Sequence, residues 1–109
     1  ADRESPVEEF LDSLDAKTRT RFTWSIEQLR IRNVQARSPL VKHLVDKLWE
    51  LREESRGNIY RIIYFFFTGR RITLLHGFQK KSQKTPQKEI KVAQKRMADF
   101  IERLGGEER

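Results

Sequence analysis

Asn58 to Thr68 (NIYRIIYFFFT) constrains this chain more than any other segment. It is dense in β-branched and aromatic residues and flanked by Gly57 and Gly69, which predicts a strand with a turn at each end. Its apolar residues fall on both parities, with Ile59, Ile63, Phe65 and Phe67 on one and Tyr60, Ile62, Tyr64 and Phe66 on the other. Alternation sends the two sets to opposite faces, so both faces need cover.

The neighbouring segments supply pairing partners. Leu48 to Arg52 (LWELR) reads as a strand, and Glu53 to Gly57 as the turn that follows it. Gly69-Arg70 allows a tight hairpin, from which Arg71 to about Lys80 (RITLLHGFQK) returns as a third strand. Helices flank this set. Ser5-Pro6-Val7-Glu8 is a helix start, and Val7, Phe10, Leu11 and Leu14 form an apolar stripe behind it. Asp15 caps a second helix running to about Arg32, with Phe22, Ile26 and Leu29 on its inner face, so the two form an antiparallel hairpin. Asn33 to Leu40 reads as a loop. Pro86 opens a last helix whose apolar face is Ile90, Ala93, Met97, Phe100, Ile101 and Leu104, stopped by Gly105-Gly106. The expected fold is α+β, order ααβββα, in a single domain over residues 1–109.

Composition narrows the chemistry. There is no cysteine, and His43 and His76 have no ligand-spaced companions, so neither a disulfide nor a zinc site is expected. No apolar run approaches the ~20 residues of a membrane span, and no signal-peptide pattern opens the chain. A soluble, cytoplasmic protein without metal or cofactor is the expectation. The formal charge of +7 points to a polyanionic partner. Nearly all of it lies between Gln79 and Arg96, where six lysines and one arginine face a single acid, Glu89.

Register turns this into a surface. If the last hairpin turns on Gly69 and Arg70 alone, Arg61 stands opposite Phe78, Ile63 opposite His76, and Lys80 beside Ile59. If the preceding turn spans Ser55 to Asn58, Arg52 stands opposite Arg61. Arg52, Arg61, His76, Phe78 and Lys80 then share one face. Cations for phosphates and a ring for stacking suit single-stranded RNA. Each residue also has a structural alternative. Arg52 and Arg61 can be ion-pair partners of Glu50, Glu53 or Glu54, and His76 and Phe78 can be core. Tyr60, Tyr64 and Trp49 are expected to pack under helices.

The runs LWELR (Leu48 to Arg52), NIYRIIYFF (Asn58 to Phe66) and LLHGFQKKSQKTPQKEI (Leu74 to Ile90) resemble HigB-type toxins of phage-related origin within the RelE/ParE superfamily. The pattern HGF-x-KK-x-x-K-TP-x-x-E is the more specific part. The resemblance implies a type II toxin–antitoxin system and a metal-independent endoribonuclease that cleaves messenger RNA within the ribosome. It also implies an antitoxin of the helix-turn-helix, HigA type. By motif position, Arg61 resembles the strand arginine that contacts the scissile phosphate. Lys80, Lys81 and Lys84 supply further charge and possible proton transfer, Arg52, Phe78 and Lys88 bind RNA, and His76 is the acid/base candidate. No tyrosine or histidine follows the last strand, which leaves the proton-transfer groups open. Two alternatives remain: a ParE-like inhibitor of DNA gyrase with the same fold, and a non-catalytic nucleic-acid-binding protein.

Overall fold

A computed structural model describes residues 6–32, 41–67, 71–79 and 84–105. Lys80, Lys81, the expected loop Asn33 to Leu40 and the hairpin tip Gly69-Arg70 lie outside the described residues. The element order is α1 (Pro6–Asp12), α2 (Ala16–Arg32), β1 (Val41–Val45), β2 (Leu48–Ser55), β3 (Asn58–Phe66), β4 (Ile72–Gln79) and α3 (Gln87–Phe100), which continues as a π-helical turn over Ile101–Gly105. The α+β class is as expected, with one strand more: the order is ααββββα, and the sheet is an antiparallel meander β1-β2-β3-β4.

The unexpected strand is β1. Val41-Lys42-His43-Leu44-Val45 is short and mostly polar on its exposed side, and the turn to β2, Asp46-Lys47, carries no glycine. Asp46 takes the left-handed conformation (φ 53°), which aspartate tolerates better than most residues. The β2–β3 turn is tighter than Glu53 to Gly57 and spans Ser55 to Asn58, the turn on which the expected pairing of Arg52 with Arg61 depended. Arg56 and Gly57 both have positive φ, the primed geometry that matches strand twist, so β2 runs on to Ser55 and Ser55 pairs with Asn58.

Helices cover both faces of the sheet. Val7, Leu14, Phe22, Ile26 and Leu29 of the N-terminal helical segment pack with Val41, Leu51, Ile62 and Tyr64 on one face. On the other, Ile90 and Ala93 of α3 pack with Leu48, Ile63, Phe65, Leu75 and Phe78. The result is three layers with β3 buried from Ile59 to Phe65 except at Tyr60, which is half-buried. Three helices therefore suffice to cover the doubly apolar strand. Trp49 and Tyr60 pack at the edge of the first cluster, and Tyr64 lies inside it, where burial pushes its phenol well above the ordinary range. Asp15 caps α2 as expected: its carboxylate accepts the Thr18 N–H at 3.2 Å and the Thr18 hydroxyl at 2.7 Å, and these bonds hold it below the usual carboxylate range.

Candidate active site

The polar residues of interest lie on the α3 face, on two neighbouring rungs of the sheet. Arg52, Arg61 and Phe78 form one rung, and Glu50, Ile63 and His76 the next. The register on this side of β3 is the expected one, reached by a different route. The Phe67 N–H donates to the Arg71 carbonyl and Phe66 pairs with Ile72, so the hairpin is displaced by one residue from a turn of Gly69 and Arg70 alone. A bulge between Ile63 and Tyr64 then absorbs one residue of β4, Leu75. The two displacements cancel, and Arg61 meets Phe78. The bulge also turns consecutive residues to the same face: Leu75 enters the α3-side core while His76 reaches α3 itself.

Arg61 has no solvent exposure. Its Nε lies 3.5 Å from Glu50 Oε2, and Arg52 Nη2 donates to the same oxygen at 3.3 Å. Glu50 is itself buried, and its other oxygen accepts the Thr85 hydroxyl. Of the three acids that sequence offers to these arginines, Glu50 takes both. Glu53 turns to the opposite face, where it accepts from Ser25 at 3.1 Å and faces Arg21 at 3.8 Å. Desolvation lowers the Arg61 pKa from its ordinary value, Glu50 opposes that shift, and the nearby Arg52 adds to it. A guanidinium still stays charged under such shifts, so the cluster of two arginines and one carboxylate carries a net positive charge. Arg52, with a quarter of its side chain exposed, is the arginine of this cluster that reaches solvent.

The second group centres on His76. Its Nε2 lies 2.5 Å from Glu89 Oε1, and Arg96 Nη1 lies 3.2 Å from its Nδ1 while donating to the Leu75 carbonyl at 2.9 Å. The Phe78 ring stacks on the imidazole, centroids 5.2 Å apart and planes 25° apart. Phe78 is 8% exposed, which leaves little of its ring for a base to stack on. Lys84 and Lys88 are exposed, as are Lys91 and Lys95 further along α3. Thr85, Glu89 and Arg96 are residues whose part sequence alone did not reveal. The available signal was Glu89, the single acid in a run of cations. Among the described residues, no group of three or more His, Asp or Glu side chains is arranged to hold a metal ion, and no helix is long and apolar enough to cross a membrane.

A four-stranded meander between two helical layers, with a partly open cationic cluster under the last helix, defines a small α+β protein with one polar site on the α3 side of its sheet. The family model described as phage derived protein Gp49-like (DUF891) matches residues 9–98. The chain belongs to that family, which is toxin-like and part of the RelE/ParE superfamily. No curated protein matches it.

Proposed function

We propose that this chain is the toxin of a type II toxin–antitoxin pair, a metal-independent endoribonuclease that cleaves messenger RNA on the ribosome. The observation that carries this reading is the gathering of Arg52, Arg61 and His76 on two adjacent rungs, with Glu89 of α3 against His76, at the end of β4 from which the lysine-rich segment departs. Cleavage without a metal uses the substrate's own 2′-hydroxyl as nucleophile, so the protein must orient it and offset charge on the pentacoordinate phosphorus. Arg52, Lys84 and Lys88 have the exposure to meet phosphates, with Lys80 and Lys81 adding charge from the adjoining segment. Arg61 contributes its field from beneath and positions Arg52 through the shared Glu50. His76, with Glu89 on its Nε2, belongs to the group that serves the proton-transfer step, and Phe78 fixes its plane. A helix-turn-helix antitoxin of the HigA type masks the cationic surface.

Complete burial of Arg61 in an ion pair with Glu50 favours a second reading, an inhibitor of a protein target such as DNA gyrase that uses the same fold without cutting RNA. One experiment separates them. The purified protein is added to a coupled translation reaction and message ends are mapped by primer extension. Cuts within codons that require ribosomes support the nuclease. Intact message together with arrested supercoiling by gyrase refutes it.

A further inference from the structure

Hydrogen-bond polarity within the His76 cluster has a direction. Arg96 can only donate, so its 3.2 Å contact requires His76 Nδ1 to be an acceptor. The imidazole proton then sits on Nε2 and is donated to Glu89 Oε1 at 2.5 Å. The chain of bonds runs from Arg96 through the imidazole and ends on a carboxylate, which is 17% exposed beside a histidine that is 15% exposed. With both ring nitrogens engaged, His76 has no lone pair left for a substrate proton. The carboxylate does, because its second oxygen and remaining lone pairs are not used by this chain of bonds. Several features preorganise Glu89. The β4 bulge brings His76 to α3, Phe78 stacks on the ring, and Arg96 is itself anchored on the Leu75 carbonyl.

We propose that Glu89 is the general base of the RNA cleavage reaction, and that His76 and Arg96 are positioning residues that aim it; this rests on the nuclease reading above. The Glu89 carboxylate takes the proton of the 2′-hydroxyl as the 2′-oxygen forms its bond to phosphorus. The bond from phosphorus to the 5′-oxygen breaks, and that oxygen takes a proton from water. The products are a 2′,3′-cyclic phosphate and a 5′-hydroxyl end, with no net oxidation or reduction. The substrate class is single-stranded RNA with a free 2′-hydroxyl at the cleaved position.

Glu89→Gln is the decisive variant, because an amide oxygen still accepts the His76 Nε2–H but cannot take a proton. Single-turnover cleavage of a message fragment, free and on ribosomes, is measured alongside RNA affinity, the melting temperature and the imidazole nitrogen shifts of His76. The expected result is a rate loss on the order of 10²–10⁴-fold, with affinity, melting temperature and the Nε2–H tautomer unchanged. Arg96→Leu should release the tautomer and give a smaller loss. If the wild type cleaves and Glu89→Gln cleaves equally fast, the assignment is wrong and the nuclease reading stands. A rate loss accompanied by a lower melting temperature or weaker RNA binding also overturns it, because Glu89 would then be a clip between α3 and β4. A wild type that cuts no RNA under either condition overturns the nuclease reading and the assignment together.

Discussion

Gly77 lies between His76 and Phe78, yet the structure ties it to the opposite side of the sheet. A Cβ built there meets the Phe10 ring of α1, 2.6 Å from Cγ and 2.9 Å from Cε2, with Cδ2 closer still. All three distances are below what real Cβ contacts allow, so Gly77→Ala forces the ring, and α1 with it, away from β4. Overpacking of this kind costs ~1–3 kcal/mol, and removing glycine's freedom from the unfolded chain returns ~0.4–1 kcal/mol. The midpoints of these two ranges, about 2 and about 0.7 kcal/mol, leave a net loss of roughly 1–2 kcal/mol. An unfolding entropy of about 2.1 cal/mol/K per residue over 109 residues makes each kcal/mol worth roughly 4 °C, so the melting temperature should fall by roughly 4–9 °C. The assay is thermal unfolding by circular dichroism of the wild type, Gly77→Ala, Phe10→Ala and the double variant. With the ring gone, Gly77→Ala should be neutral or slightly stabilising, a coupling that only direct contact produces. Equal losses in both backgrounds, or no loss in the wild type, would refute the packing explanation.

Glu50→Gln should be more damaging, because it keeps the volume and removes the carboxylate shared by buried Arg61 and Arg52; a loss of ~3 kcal/mol or more in urea unfolding is expected, and under ~1 kcal/mol would show the charge to be dispensable. Arg61→Ala takes one of two guanidinium partners from buried Glu50 and empties the space of a fully buried side chain, so loss of growth arrest in that variant should accompany loss of stability. The paired replacement Arg61→Met with Glu50→Leu separates the two effects, and a folded, fully toxic double variant would remove Arg61 from the mechanism. Cleavage of a defined RNA should persist in excess chelator, since the described residues offer no metal-binding group; activity lost with chelator and restored by one divalent ion would contradict this.

Much of the architecture was legible in the residues because it follows from local rules. Period-2 and period-3.6 patterns located α1, α2, α3, β2, β3 and β4, and Asp15 marked the start of α2. The structural alternative for Arg52 and Arg61, an ion pair with a nearby acid, was also visible, since Glu50 alternates onto the same face as Arg52. Strand β1 escaped because a five-residue edge strand with a glycine-free turn has little pattern to read; its stability comes from pairing with β2. Which acid takes the two arginines depended on the direction in which each strand position points once α2 and α3 are docked. The cancelling displacements at the hairpin and at Leu75 could not be read either, because a bulge is selected by packing on both faces rather than by the residues in it. The sequence by itself determined a doubly apolar strand, its helical cover and the concentration of cations after β4. Only the tertiary structure decided that Arg61 is buried, that Gly77 serves α1, and that His76 meets Glu89. Those three outcomes depend on contacts between elements distant in the chain, and a contact of that kind leaves no period in the sequence.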